Sequence, residues 1–136
     1  MRTVLADGCF DILHPGHIRY LQQARCYGDR LIVSLASDER VAALKGKGRP
    51  YLLWEARATI LRALSVVEEV LLSSAAHTTI AQLKPDVYCK GEHSDVTIDA
   101  KICDVMGVKL VMLPLWNEAI GLPYSSSNLI ARIQHA

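Results

Sequence analysis

The sequence is poor in net charge: 15 Lys and Arg stand against 14 Asp and Glu, leaving +1 with the histidines neutral. That balance excludes a broad electropositive surface for nucleic acid, and any anion site has to be local. No apolar run approaches membrane-spanning length, and nothing resembling a secretory stretch precedes the first strand-like segment, so neither a membrane nor a secreted setting is implied. A cytoplasmic location is the expectation. The four cysteines, Cys9, Cys26, Cys89 and Cys103, show no Cys-x-x-Cys spacing. They therefore outline neither a zinc site nor a disulfide framework, and are expected to be reduced and mostly buried. Internal repeats, linkers and low-complexity tracts are also missing.

What is present is apolar material for one core: 51% of the 136 residues are hydrophobic and only 21% charged, a composition that suits a single domain. Thr3 to Ala6 reads as a short buried strand ending at Asp7-Gly8. A helix follows, with Pro15 at its first position, an apolar stripe at Ile18, Leu21 and Ala24, and Gly28 placed to end it. Leu31 to Ala36 reads as a strand and Glu39 to Leu44 as a short helix, while Lys45 to Pro50 is a basic loop rich in helix breakers. Leu53, Ala56, Ile60, Leu64 and Val67 recur at helical spacing. Val70 to Leu72, Asp86 to Cys89 and Val108 to Leu113 then read as strands, alternating with helices at Thr78 to Leu83 and Ile98 to Met106. A loop at Asn117 to Pro123 and a closing helix at Ser126 to Gln134 complete the series. Strands alternating with helices predict a single-domain α/β fold, a doubly wound parallel sheet, over residues 1–136. Ligands in such sheets bind beyond the carboxyl ends of the strands, which directs attention to the turn after the first strand.

That turn reads Gly8-Cys9-Phe10-Asp11-Ile12-Leu13-His14-Pro15-Gly16-His17. His14 falls near the helix N-cap and His17 in the first turn, where free N–H groups and the positive end of the helix dipole favour a phosphate. Helical side chains lean toward the N-terminus, which aims His17 at the same point. Gly16, with no Cβ, lets a nucleotide lie against the backbone. A single histidine at a helix start is more often a cap than a catalyst; the pair within the whole pattern points to nucleotide chemistry.

Gly8, Phe10, Asp11, His14, Gly16 and His17 match G-x-F-D-x-x-H-x-G-H, and on this motif the sequence resembles the cytidylyltransferase-like nucleotidyltransferases. The resemblance runs through nearly the whole chain. It is strongest toward the adenylyltransferase domain of the bifunctional enzymes that make ADP-heptose, carried by Arg19-Tyr20-Leu21, Gly28 to Val33, Ser37-Asp38, Lys45-Gly46 with Gly48-Arg49-Pro50, Lys84-Pro85-Asp86, Lys90-Gly91 and Ser125 to Ile130. No sugar-kinase portion accompanies it, which suggests a stand-alone transferase.

The resemblance implies a Rossmann-like domain that moves a nucleoside monophosphate, AMP ahead of CMP, from a triphosphate to a phosphorylated small molecule, such as heptose 1-phosphate, with release of pyrophosphate. It further implies a divalent cation such as Mg2+ and a homodimer. His14 and His17 are then assigned to the α-phosphate, with Lys45 or Lys47 reaching the phosphates from the basic loop. Gly8, Cys9, Phe10, Asp11, Gly16, Lys90 and Gly91 are assigned to nucleotide binding. Ser125, Ser126 and Ser127 correspond to the family's serine/threonine motif and are assigned to the β- and γ-phosphates, although serine is also preferred as an N-cap. Asp11 is a candidate for holding the histidine turn or the metal. Asp38 and Arg57 are candidates for substrate contacts at the mouth of the site, and no residue is assigned as a metal ligand.

Several alternatives remain open on the sequence. CTP-dependent enzymes for alditol or amino-alcohol phosphates share the first motif, but many carry an arginine shortly before the serine motif, and none lies between Leu113 and Ser125. An FAD synthetase-like adenylyltransferase and a non-catalytic nucleotide-binding regulatory module are the other two. Near members of the family continue Lys-Gly with Gly-Asp-Tyr, whereas Lys90-Gly91 continues here with Glu92-His93-Ser94-Asp95.

Overall fold

A computed structural model describes residues 1–114 and 125–135. Their order is β1 (Thr3–Gly8), α1 (Pro15–Arg25), β2 (Arg30–Ala36), α2 (Asp38–Lys45), α3 (Trp54–Arg62), β3 (Glu69–Ser73), α4 (Ala76–Leu83), β4 (Val87–Gly91), α5 (Thr97–Met106), β5 (Lys109–Leu113) and α6 (Ser126–Gln134). The strands form one parallel sheet in the order β3-β2-β1-β4-β5. Chain direction across the sheet reverses between β1 and β4, so the switch point lies beside the first turn. The expected loop at Asn117 to Pro123 lies outside the described residues.

The doubly wound arrangement follows from apolar residues on both faces of the central strands. Val4, Ala6, Leu31, Val33, Leu35, Val87 and Cys89 point to one face, where Leu21 and Ala24 of α1 and Ala58 and Leu61 of α3 cover them. Leu5, Ile32 and Tyr88 point to the other, under Ala76 and Ile80 of α4 and Cys103 of α5. A period of two along each strand sends alternate residues to opposite sides, and near-continuous hydrophobic strands are what a sheet buried on both faces requires.

Three local expectations need correction. The helix α1 ends at Arg25, with Cys26 as a right-handed C-cap, so Gly28 does not terminate it. Gly28 is needed for close approach instead, since a Cβ there would lie 2.6 Å from the Arg2 carbonyl oxygen. The buried face of α3 is Arg57, Ala58 and Leu61, whereas Leu53 and Ile60 of the expected stripe are exposed. A buried arginine at the start of that face displaces the apolar stripe by one position. The cysteines divide as well: Cys89 and Cys103 are buried, Cys9 is half-buried and Cys26 is exposed, all as free thiols.

Candidate functional site

The turn from β1 into α1 is held in an unusual backbone shape. Phe10 and Ile12 adopt left-handed φ values of 48° and 57°, conformations that cost a non-glycine residue about 1–3 kcal/mol each. Two anchors offset that cost. The Phe10 ring is buried in the core beside α1, and Gly8 makes room for it: a Cβ there would lie 2.7 Å from Phe10 Cε2. Between the two strained residues, the buried Asp11 carboxylate accepts hydrogen bonds from Tyr51 N (2.8 Å), Leu52 N (3.0 Å) and Arg49 Nε (3.0 Å). Burial opposes its charge, but these donors and the Arg49 charge together hold its pKa below the usual carboxylate range. Asp11 thus ties the end of the basic loop to the histidine turn. With Oδ1 taken by Leu52 and Oδ2 by Tyr51 and Arg49, it has little left to offer a metal, contrary to one of the two roles expected for it.

The two histidines form a reciprocal cap on α1. His14 is the N-cap, its Nδ1 accepting from Gly16 N at 3.0 Å, and His17 Nδ1 accepts in turn from His14 N at 3.3 Å. Their rings stack at 3.8 Å, and the Phe10 ring meets His17 edge-on at 5.3 Å. An imidazole whose Nδ1 accepts a backbone N–H and is neutral carries its proton on Nε2. Burial lowers the pKa of His14; for His17, burial with the nearby His14 and Lys45 charges outweighs Asp11 and lowers it to about 3. Both are neutral Nε2–H donors at physiological pH, and both line one cavity.

That cavity, of about 1060 Å³, opens over the carboxyl ends of β1 and β4. Typical small-molecule sites have volumes of about 300–1,000 Å³, so two ligands can be accommodated together. Gly8, Cys9, Phe10, Asp11, Gly16, Lys45, Lys90, Gly91 and Ser125 to Ser127 all contribute to its wall. Residues assigned from four separate stretches of sequence are therefore brought together. Lys45 is the last residue of α2 instead of part of the loop, and it lines the cavity, whereas Lys47 is exposed in the loop after α2 and does not.

The structure gives several of these residues other partners. Arg57 is fully buried: Nε donates to Leu52 O (2.9 Å), Nη1 to Cys9 O (2.8 Å) and Ala36 O (2.9 Å), and Nη2 to Asp38 Oδ1 (2.7 Å). Neither Arg57 nor Asp38 lines the cavity; the pair staples the ends of β1 and β2 to α3 instead of meeting substrate at the mouth. The Ser125 hydroxyl caps α6 by accepting from Asn128 N at 3.0 Å. The Ser126 hydroxyl donates to the carbonyls of Asp11 and Ile12, stitching α6 to the strained turn. Ser127 is exposed on the cavity wall.

Sequence reading assigned Lys90 but missed Asp7 and Arg40, which with it form the polar floor of the cavity. Asp7, buried at the end of β1, accepts from Ser34 Oγ (2.8 Å), from both Arg40 Nη atoms (2.9 and 2.6 Å) and from Lys90 Nζ. Burial opposes the charge of Asp7, and the two cations overcome it, lowering the pKa. The cluster carries a net +1 and faces the cavity through Arg40 and Lys90. Its sequence cue was a charged residue closing an otherwise apolar strand; which cations would meet it depended on α2 and β4. His77 also lines the cavity from α4. Among the described residues no group of three or more His, Cys, Asp or Glu could hold a metal ion, and no helix is long and apolar enough to cross a membrane.

This geometry agrees with comparisons to known proteins. The model of the cytidylyltransferase-like family matches residues 5–132. The chain is 46% identical over 121 residues to the bifunctional protein HldE of Hyphomonas neptunium, covering 85% of this chain and 24% of that one. It is 37% identical over 139 residues to HldE of Hydrogenovibrio crunogenus, covering 99% and 28%. The chain thus spans about a quarter of the length of these curated relatives. Among solved structures, the lipopolysaccharide core biosynthesis protein of Thermoplasma volcanium superposes with a TM-score of 0.70 at 31% identity, covering 85% of this chain and 96% of that one. Pantothenate synthetase of Thermus thermophilus, at 16% identity and a TM-score of 0.67 over 95% of this chain and 61% of its own, shares the fold. The switch-point cavity, the reciprocally capped histidines and a match from residue 5 to residue 132 together place the chain in the cytidylyltransferase-like family of nucleotidyltransferases.

Proposed function

We propose that this chain transfers AMP from ATP to a sugar phosphate, with heptose 1-phosphate as the favoured acceptor, forming a nucleoside diphosphate sugar and pyrophosphate. One observation carries the reading: two neutral histidines present Nε2–H donors at a helix N-terminus in a cavity large enough for two ligands. An acceptor phosphate oxygen attacks the α-phosphorus in line; the new P–O bond forms as the bond to the bridging oxygen of the β-phosphate breaks. Pyrophosphate departs with that electron pair. The histidines, Lys45 and the N-terminus of α1 stabilise charge on the non-bridging α-oxygens, which is how such transfers are mainly accelerated. No residue needs to accept a proton, because a phosphate monoester is already an anionic nucleophile.

The similarity to HldE proteins and the lack of arginine between Leu113 and Ser125 favour ATP over CTP. The resemblance extends the proposal to a cytoplasmic homodimer that requires a divalent cation. The donor set beside the histidine turn does not fit a protein-held metal, because the carboxylates of Asp7 and Asp11 are both engaged by cations and N–H groups. Magnesium therefore belongs to the nucleotide's phosphates and is part of the substrate.

Pyrophosphate release, measured over four nucleoside triphosphates against heptose 1-phosphate, glycerol 3-phosphate, ethanolamine phosphate and FMN, tests the reading. ATP with heptose 1-phosphate is expected to give the highest kcat/KM, abolished by excess chelator. No release from any pair would refute transferase activity, and preference for CTP would refute the adenylyl assignment.

A further inference from the structure

Beside the histidines, the cavity is lined by residues of β4, α4 and α5. Asp7 and Ser34 are register partners on β1 and β2, and Lys90 follows Cys89, which pairs with Ala6. These polar residues lie on the sheet face covered by α4 and α5, one step beyond the core row of Leu5, Ile32 and Tyr88. Tyr88 is buried, and its hydroxyl donates to Asp99 Oδ2 at 2.8 Å. Asp99, in the first turn of α5, is only 8% exposed yet lines the cavity.

Asp99 differs from the other carboxylates of the cavity wall. Asp7 is neutralised by Arg40 and Lys90, Asp11 is paired with Arg49 and two N–H groups, and Asp95 accepts from the Thr97 hydroxyl and N–H. For Asp99 the described hydrogen bond is from one neutral hydroxyl. Burial, with the charges of Asp7 and Asp99, raises the Tyr88 pKa far above its ordinary value, so Tyr88 stays a donor and orients the carboxylate.

We propose that Asp99, positioned by Tyr88, accepts hydrogen bonds from hydroxyl groups of the acceptor, and that the acceptor is therefore a phosphorylated polyhydroxy compound lying over the α4/α5 face. This rests on the transferase reading of the same cavity. Tyr88 and Lys90 are two residues apart on β4, so their side chains emerge on the same face about 6.6 Å apart, the scale of one sugar ring. An acceptor phosphate drawn to the net positive Arg40–Asp7–Lys90 cluster then places its ring hydroxyls at Asp99. The carboxylate repels a second phosphate, and the adjacent cations disfavour an ammonium group, which separates a polyol phosphate from an amino-alcohol phosphate.

The test uses Asp99→Asn, which keeps shape and can still accept from Tyr88, and Tyr88→Phe, which keeps the carboxylate but frees it. Binding of heptose 1-phosphate and of ATP is measured by calorimetry, beside KM and kcat for transfer. Hydrogen bonds to a charged acceptor are roughly twice as strong as neutral ones, so Asp99→Asn is expected to weaken heptose 1-phosphate binding about tenfold, with ATP affinity unchanged. Tyr88→Phe is expected to raise the acceptor KM severalfold, with kcat within about twofold. Unaltered acceptor affinity in Asp99→Asn overturns the proposal, as does equal loss of ATP binding, or tighter binding of ethanolamine phosphate than of heptose 1-phosphate by the unaltered protein. Transfer to heptose 1-phosphate that is insensitive to Asp99→Asn leaves the transferase reading standing and removes this one; acceptor binding that depends on Asp99 without transfer does the reverse.

Discussion

Replacing Arg57 with lysine separates a structural staple from a substrate ligand. The guanidinium donates to three main-chain carbonyls, of Leu52, Cys9 and Ala36, and to Asp38, all at 2.7–2.9 Å, with its side chain wholly enclosed. Lysine keeps the charge but loses the planar fork, and one ammonium cannot reach three carbonyls arranged around a guanidinium. About two carbonyls lose their donor, and a buried group left unsatisfied costs roughly 1–3 kcal/mol. Asp38 is one-third exposed and can be rehydrated, so its contribution is small. The expected loss is about 2–4 kcal/mol, which for a domain of this size lowers Tm by about 10 °C. Urea and thermal unfolding monitored by circular dichroism read the effect directly, and Asp38→Asn serves as a comparator with a Tm shift several times smaller. If Arg57→Lys unfolds within about 2 °C of the unaltered protein while its acceptor KM rises, the staple argument is wrong and Arg57 is a ligand after all.

Two further outcomes follow from the histidine turn. Gly8→Ala places a Cβ 2.7 Å from Phe10 Cε2 and should cost about 1–3 kcal/mol of stability; because the displaced ring packs on His17, turnover should fall with it, and a variant with unchanged Tm and kcat would contradict this packing. The His17 pKa is about 3 in the folded protein against about 6.5 when unfolded, so only the unfolded chain takes up this proton between those values. Stability should therefore fall as pH drops below about 6.5, by about 2 kcal/mol from this histidine alone by pH 5. The lowered pKa values of Asp7 and Asp11 act with the same sign in a lower window: their stabilisation is present above the ordinary carboxylate pKa of about 4 and is lost as pH falls below it. His17→Asn should flatten the profile between pH 5 and pH 7 in urea titrations, and an unchanged slope would refute a buried neutral His17.

Much of the architecture is legible in the chain because it is written in local periodicity. Alternating apolar strands and amphipathic helices specify a parallel sheet covered on both sides, and the spacing of His14 and His17 around Pro15 and Gly16 specifies a capped helix start. These are interactions among residues a few positions apart, so their pattern survives in one dimension. The roles of the charged residues were decided elsewhere. Arg57 reads as a substrate contact at the mouth of the site, but the packing of α3 carries it beneath the ends of β1 and β2, where three carbonyls need a donor. Ser126 reads as a phosphate ligand until α6 folds back on the turn and its hydroxyl meets the carbonyls of Asp11 and Ile12, more than 100 residues earlier. Asp7, Arg40 and Lys90 are a strand end, a helix residue and another strand end in sequence, and they become one cluster only through the order β2-β1-β4. A residue type and its neighbours determine which element it joins; which buried charge or carbonyl it must satisfy is determined only when distant elements pack and exclude water.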